Sequence, residues 1–238
     1  MRTAVIVQAR TGSSRLPGKV LLDLGGKPIL QHVLERCRSV VGTETVVCAV
    51  PDEAESEPLE RIAQECGAAV FRGSEKDVLD RYLGAARMAG AEVVLRVTSD
   101  CPLIDPDVCA EVLALRARTD ADYASNNMPA TFPHGLDCEA FTFAALSLAA
   151  ENASEPADRE HVTPWLRRGR QISRANLAAD DPALAAHRWT LDYPEDLAFF
   201  RALSDLRPDL ATARMRDILD LLGAHPEIAL INQGRRKK

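Results

Sequence analysis

A short loop near the N-terminus concentrates groups that bind anions. Residues 9–19, ARTGSSRLPGK, follow directly on the apolar run TAVIVQ of residues 3–8. Glycines let a backbone approach a ligand closely, and successive amide groups can form an anion-binding nest. Arginine and lysine supply charge that neutralises phosphate groups. The loop therefore predicts a polyphosphate site, with candidate contacts from Arg10, Gly12, Ser13, Ser14, Arg15 and Lys19.

Two aspartates far apart in sequence complement this loop. Asp100 follows the β-type run of residues 92–97, and Asp192 ends a shorter run that begins at residue 188. If both lie at the sheet edge that carries the loop, they form a two-carboxylate Mg²⁺ site whose other ligands are water and substrate phosphates. Each aspartate also fits a plain turn. Arg96 shares a strand face with Asp100, so it pairs either with that carboxylate or with an acidic substrate.

Familiar nucleotide motifs do not describe this loop. Its glycine spacing fits neither the GxxxxGK[ST] pattern nor the GxGxxG pattern. The DPD of residues 105–107 resembles the DxD of metal-dependent glycosyltransferases, but it lies where a helix should begin, so Asp105 is predicted to be an N-cap. Glu195 and Asp196 follow Pro194 at the start of another helix, where acids stabilise the helix dipole.

The elements that must position these residues alternate between strand and helix. Short β-rich runs alternate with segments of helical periodicity, a pattern that predicts an α/β fold with a mostly parallel, doubly wound sheet and helices on both faces. Ser74 is the predicted N-cap of the third helix. The predicted strands cover residues 3–9, 44–50, 68–71 and 92–97, and the predicted helices cover residues 28–41, 55–66 and 75–90.

After residue 120 the pattern changes. Residues 122–141 are rich in Asn, Pro and Gly, and they predict an excursion from the sheet that ends in a strand over 136–141. We expect a single domain over residues 1–234, followed by a basic tail at 235–238. The remaining predicted elements are helices over 142–151, 158–168, 195–205 and 212–222, and a strand over 171–178.

Composition excludes several classes of protein. The chain has 238 residues, 27% of them charged, and a net charge of −6, which disfavours the broad basic face that nucleic-acid binding needs. Its six cysteines show neither a CxxC pair nor a zinc-type spacing, so we expect reduced thiols. No apolar run is long enough to cross a bilayer. These features predict a cytoplasmic protein without nucleic-acid or membrane partners.

Taken together, the motifs resemble a known family. The chain is similar to the CTP-dependent cytidylyltransferases that make CMP-activated sugar acids, and above all to the subgroup of spore-coat polysaccharide biosynthesis. The similarity is carried, in consistent order, by residues 5–21, 73–82, 96–106, 134–141, 159–165 and 191–197.

This resemblance implies a nucleotide-diphospho-sugar transferase-like fold, Mg²⁺, a homodimer, and transfer of CMP from CTP to a small acidic acceptor with release of pyrophosphate. It adds Ala9 as a backbone contact and makes Asp100 and Asp192 the metal ligands. In the reaction, Lys19 and Arg15 would stabilise the leaving pyrophosphate. The resemblance also implies an acceptor pocket formed by His134, Asp137, Glu139, Arg159, Glu160 and His161.

Several alternatives remain at this point. The general base could be His161, His134, a metal-bound hydroxide or the carboxylate of the substrate. The stretch TSDCP at 98–102 departs from the QGDEP-like stretch of CMP-KDO synthetases, and LPGK at 16–19 departs from the PxKN of sialic acid enzymes, so the identity of the acceptor stays open. Other functions to be weighed are a sugar-1-phosphate nucleotidylyltransferase, a glycosyltransferase and a non-catalytic nucleotide-binding subunit.

Overall fold

The structure, a computed structural model, describes residues 1–235. Nine strands and ten α-helices alternate along this part of the chain. The strands are β1 (Thr3–Gln8), β2 (Asp23–Leu24), β3 (Lys27–Pro28), β4 (Thr45–Pro51), β5 (Ala69–Gly73), β6 (Val93–Thr98), β7 (Tyr123–Ser125), β8 (Glu139–Thr142) and β9 (Arg174–Asn176). The helices are α1 (Ile29–Cys37), α2 (Glu57–Glu65), α3 (Val78–Ala89), α4 (Pro106–Thr119), α5 (Phe143–Asn152), α6 (Pro156–His161), α7 (Pro164–Arg168), α8 (Pro194–Leu206), α9 (Met215–Ala224) and α10 (Pro226–Leu230).

Seven strands form one mixed sheet in the order β5-β4-β1-β6-β8-β7-β9. The pairs β5–β4, β4–β1, β1–β6 and β7–β9 are parallel, and β8 runs antiparallel to both of its neighbours. The chain moves outward from β1 through β4 to β5 and then returns to place β6 on the other side of β1. The strand order therefore reverses at β1, which is where open α/β sheets bind their ligands. The predicted mostly parallel α/β fold is confirmed.

Burial on both faces explains the continuous apolar run of β1. Val5 and Val7 pack in one cluster with α1, α2 and α4, whereas Ala4 and Ile6 pack in another with α3 and α5. A strand covered on both faces needs no polar alternation. A third cluster joins α8 and α9 to Trp189. The sheet edge that carries the anion-binding loop is thus held by three apolar clusters.

Most predicted elements occur with shifted ends. The apolar stripe of α1 is buried as predicted, and the helix is shorter than the predicted span of 28–41. The N-cap of α3 is Asp77, whose side chain accepts a hydrogen bond from the Asp80 amide, so the prediction of Ser74 was wrong. Ser74 instead accepts a hydrogen bond from the amide of Asp77, one turn earlier.

Three predicted segments differ from the structure. The predicted excursion contains β7, which joins the sheet, because Tyr123 and Ala124 are apolar enough to be buried beside β8. The helix expected over 158–168 is two short helices, separated where Val162 adopts a φ of 70°. The run that begins at residue 188 forms only an isolated bridge between Arg188 and His134.

Two predictions from composition can be compared with the described chain. All six cysteines are free and buried, as expected for reduced thiols. Within residues 1–235, no helix is long and apolar enough to span a membrane. Most of the predicted basic tail, residues 236–238, lies outside the described residues.

Gly135 is predicted to tolerate no side chain. Its φ is 116°, and a Cβ there would overlap the backbone carbonyl of Trp189. The two backbone segments are held together by a hydrogen bond of 2.6 Å from the Trp189 amide to His134 O. Gly135→Ala should therefore destabilise the protein by about 1–3 kcal/mol. Chemical denaturation measures the change. Gly12→Ala is the control, because a Cβ at Gly12 meets nothing within 4 Å, and equal stabilities of the two variants would refute the prediction.

Candidate active site

A polar cleft of about 280 Å³ opens where β1 and β6 end side by side. Nine of the residues singled out in the sequence line this one cleft. They are Ala9, Arg10, Gly12, Ser13, Ser14, Arg15, Lys19, Asp100 and Asp192. The two parallel strands bring Asp100 to the loop after β1, and a backbone hydrogen bond of 2.8 Å from Leu191 to Asp100 brings the segment with Asp192 to the same edge.

The loop after β1 leaves several backbone amides without a protein partner among the described residues. Gly18 has a φ of 64°, a left-handed conformation that glycine adopts without steric cost, and its amide closes the loop onto Thr11 O at 3.2 Å. Within residues 1–235, none of the amides of residues 12–15 donates a hydrogen bond to the protein. Four adjacent backbone donors are therefore available to a ligand in the cleft, as binding of a phosphate chain requires.

Lys19 lies between the two aspartates. Its Nζ donates to Asp100 Oδ2 at 3.1 Å, to Asp192 Oδ1 at 2.9 Å and to Leu191 O at 2.8 Å. Burial disfavours the charged lysine, but the two carboxylates outweigh this effect and raise its pKa. Burial likewise acts against ionised Asp100, and Lys19 outweighs it and lowers the pKa of this carboxyl. Lys19 and Asp100 are thus both charged at neutral pH.

Arg15 approaches Asp192 from the solvent side. Its Nη2 lies 3.0 Å from Asp192 Oδ1, and its guanidinium lies 5.1 Å from the centre of the Tyr193 ring. The charge of Asp192 is the main cause of the raised pKa of Arg15. Two cations therefore share one carboxylate oxygen.

The cleft carries an excess of positive charge although the whole chain is negative. Arg10, Arg15, Lys19 and Arg81 line it, against the carboxylates of Asp100 and Asp192. Such an excess in a concave site attracts anions and raises their local concentration. The geometry and the charge both fit a polyphosphate.

The same carboxylates provide the donor set for a divalent cation. Within residues 1–235 no group of three or more His, Cys, Asp or Glu side chains could hold a metal ion. Asp100 and Asp192 nevertheless converge on a single cation, Lys19 Nζ. Two carboxylates at one point fit Mg²⁺, which keeps several waters and takes its remaining ligands from substrate phosphates.

Five residues that line the cleft were not predicted from the sequence: Gln8, Val20, Arg81, Thr98 and Ser99. Arg81 is 1% exposed, and its Nε is buried without a hydrogen-bond partner. Its position in the stretch GSEKDVLDRY, on the buried face of α3, was the available signal. An arginine on the buried face of a helix must have a polar partner, because an unpaired charge in the core is costly.

Arg96 and Glu139 form a buried pair that contacts the cleft through Gln8. Arg96 Nη1 donates to Glu139 Oε2 at 2.5 Å, and Arg96 Nη2 donates to Gln8 Oε1 at 3.2 Å. Glu139 is 1% exposed and also pairs with Arg167 at 2.6 Å. The partner of Arg96 is thus Glu139, not the Asp100 carboxylate considered from the sequence. Glu139 is buried in this pair, away from the surface of the cleft.

The other predicted acceptor residues fall into two separate groups. Arg159 and Glu160 line an open cavity of about 590 Å³ that shares Arg10 with the main cleft. There Arg159 pairs with Asp77, and Glu160 lies 3.9 Å from Arg10. The exposed His161 ends the same helix, α6.

The second group lies beside Arg188. His134 Nδ1 is 3.5 Å from Arg188 Nη1, and His134 Nε2 is 4.0 Å from Asp137 Oδ2. Asp137 also accepts a hydrogen bond from the Gly135 amide at 3.0 Å. Since Arg188 lies 3.7 Å from Asp192, this group adjoins the cleft at Asp192.

A loop with free backbone donors at the strand-order reversal, beside a lysine held between two carboxylates, is the arrangement expected of an α/β nucleotidyltransferase. The family model described as cytidylyltransferase matches residues 4–212. The chain belongs to the cytidylyltransferase family, whose members are nucleotidyltransferase enzymes.

Individual relatives agree with this assignment. The spore coat polysaccharide biosynthesis protein of Bacillus subtilis is 30% identical over 94% of this chain and 95% of its own length. A cytidylyltransferase structure from Leptospira borgpetersenii superposes with a TM-score of 0.91 at 29% identity, covering 96% of this chain and 97% of that one.

A more distant structure shares the fold. The CMP:2-keto-3-deoxy-manno-octonic acid synthetase, solved in complex with CTP, has a TM-score of 0.65 at 23% identity. The alignment covers 87% of this chain and 99% of that one. The predicted family resemblance is confirmed.

Proposed function

We propose that this protein transfers CMP from CTP to an acidic sugar or a related acidic acceptor, with release of pyrophosphate, in polysaccharide biosynthesis. The observation that carries the proposal is the convergence of four free loop amides, Arg15 and Lys19 with Asp100 and Asp192 in one cleft. Membership of the cytidylyltransferase family supports CTP as the nucleotide. The CTP complex of the related synthetase and the spore-coat relative support a sugar-acid acceptor and a polysaccharide product.

The reaction is an in-line displacement. An oxygen of the acceptor attacks the α-phosphorus of CTP, and the bond from this phosphorus to the bridging oxygen of pyrophosphate breaks. The proton of the attacking hydroxyl leaves to a general base, and no side chain is assigned to that role. Phosphoryl-type transfer requires positioning and charge stabilisation more than covalent help from the protein.

The residues of the cleft divide this work. The amides of residues 12–15 and the side chains of Ser13 and Ser14 bind the phosphate chain, while Arg15 and Lys19 stabilise the charge that develops on pyrophosphate. Asp100 and Asp192 would hold Mg²⁺, which when bound supplies charge neutralisation at the phosphate oxygens. Arg10 and the neighbouring Arg159–Glu160 cavity offer charged groups to the acceptor, and His134 with Asp137 offers a second set.

We further propose that the chain acts as a cytoplasmic homodimer and as a single domain. The resemblance to cytidylyltransferases supports the dimer.

CTP with Mg²⁺ is expected to raise the melting temperature more than UTP, ATP or GTP with Mg²⁺ at equal concentration. A ligand that binds only the folded protein stabilises it by RT ln(1 + [L]/Kd), about 2.7 kcal/mol at a hundredfold excess over Kd. Thermal unfolding measured across the four nucleotides tests the prediction. Arg15→Ala, which removes one cation of the cleft, is measured beside the wild-type protein. An equal stabilisation of the wild-type protein by all four nucleotides would contradict the assignment of CTP.

A further inference from the structure

The C-terminal segment, which lies outside the region that the family model matches, contacts the segment that carries Asp192. Asn232, 3% exposed, lies 20 residues beyond the end of the matched region at residue 212. Its Nδ2 donates to Asp196 Oδ1 at 3.0 Å and to the backbone oxygen of Arg188 at 3.0 Å. Both acceptors belong to the segment that carries Asp192.

Asp196 is the centre of this buried cluster. It is fully buried, and Arg188 binds both of its oxygens at 2.8 Å. The Asp196 Oδ2 atom also accepts hydrogen bonds from the amides of Asp192 at 2.9 Å and Tyr193 at 3.0 Å. Together with Asn232 Nδ2, five donors bind the Asp196 carboxylate. Asp196 therefore does more than stabilise the dipole of α8, which was the role expected from the sequence.

The cluster acts on a residue of the cleft through its backbone. Asp192 is tethered by its own amide to Asp196, and its side chain faces Lys19 and Arg15. Arg188 adds a longer contact of 3.7 Å to Asp192 Oδ2. The orientation of the Asp192 carboxylate therefore depends on the backbone position that Asp196 fixes.

We propose that Arg188, Asp196 and Asn232 are positioning residues that hold Asp192 in register with Lys19 and Asp100, and that Asn232 makes the C-terminal segment part of the active site. The inference rests on the proposed function for its catalytic meaning. A displacement of about 1 Å can cost on the order of 10²-fold in rate when a reaction depends on alignment.

Two variants test the position of Asp192 without any ligand. Asn232→Leu removes both donated hydrogen bonds at similar volume, and Asn232→Asp keeps the shape but turns a carboxylate toward Asp196. Hydrogen exchange at the amides of Asp192 and Tyr193 is expected to accelerate at least tenfold in both. The exposed neighbour variant Gln233→Ala is the control and should leave both rates unchanged. Unchanged protection in Asn232→Leu would overturn the proposal.

A second measurement separates positioning from general stability. Calorimetric titration with CTP, with and without Mg²⁺, gives the factor by which Mg²⁺ increases the affinity for CTP. This factor should be at least fivefold smaller in Asn232→Leu than in the wild-type protein. Its affinity for CTP without Mg²⁺ should stay within about twofold of wild type. Faster exchange with an unchanged Mg²⁺ effect would reduce Asn232 to a structural residue and overturn the proposal.

Failure of the proposed function has a different signature. A wild-type protein that does not bind CTP would refute the assignment of the nucleotide. The exchange experiment uses the protein alone, so it would still decide whether Asn232 positions Asp192.

Discussion

Lys19→Ala is expected to lose about 10²–10³-fold in kcat while remaining folded. Lys19 Nζ is the only cation of the described residues that bridges Asp100 and Asp192, at 3.1 and 2.9 Å. In the proposed mechanism its ammonium is already aligned with the phosphate chain, so the variant loses a charge that needs no reorganisation during reaction. The loss is measured as pyrophosphate release with the acceptor that the wild-type protein uses.

The matched control for this loss is Lys27→Ala. Lys27 is a more exposed lysine that pairs with Glu35 at 2.8 Å and does not line the cleft. It should keep the wild-type rate, because it removes the same charge away from the chemistry. Turnover of Lys19→Ala within threefold of wild type would remove Lys19 from the mechanism.

Glu139→Gln is expected to destabilise the protein by about 3–5 kcal/mol, the cost of breaking a buried ion pair by removal of one partner. Glu139 is 1% exposed and lies between Arg96 at 2.5 Å and Arg167 at 2.6 Å, and it also accepts a hydrogen bond from Tyr123 at 2.5 Å. The neutral amide leaves both guanidinium groups without their counter-charge. Urea unfolding measures the difference.

The control for Glu139 is an exposed acid of the same type. Glu195→Gln removes a surface pair with Arg235 at 2.9 Å and should change the stability little, because solvent screens exposed pairs. A Glu139→Gln variant as stable as Glu195→Gln would contradict the role of the buried cluster.

The contribution of the Glu139 carboxylate to stability should also be measurable by acid denaturation. Burial acts to raise the pKa of Glu139, but Arg96 and Arg167 outweigh it and lower this pKa to about 2, against a usual value near 4.5. A lowered folded-state pKa gives stability that is fully present above about pH 4.5 and is lost as the pH falls toward 2. The wild-type protein should lose stability in this window, and Glu139→Gln should lack that part of the loss.

The fold could be predicted from the sequence where local pattern decides the structure. β1 and α1 have apolar residues with the periods of a buried strand and an amphipathic helix, and both form close to the predicted positions. β7 could not be predicted, because three residues carry too little periodicity and only burial against β8 makes them a strand. The two short helices in 156–168 are separated by the turn at Val162, and Pro164, which disfavours a continuous helix and begins α7, was the local signal for this break.

The sequence predicted which residues line the cleft better than it predicted which side chains pair with one another. Glycines and cations in the loop after β1, and acids after β6, are placed by the rule that ligands bind at the carboxyl ends of parallel strands. The pairing of Arg96 with Glu139 depends on an antiparallel neighbour 43 residues away, so strand periodicity alone left its partner open. Asn232 was missed because its role depends on where the C-terminal helices fold back.

Transfer of CMP to an acidic acceptor is best tested by pyrophosphate release in the presence of Mg²⁺, with CTP, UTP, ATP and GTP each paired with a panel of sugar acids, phosphonates and sugar 1-phosphates. We expect turnover with CTP and an acidic acceptor, and loss of this turnover in Lys19→Ala and in Asp100→Asn. Turnover of a sugar 1-phosphate with another nucleotide, or a rate that both variants retain, would contradict it.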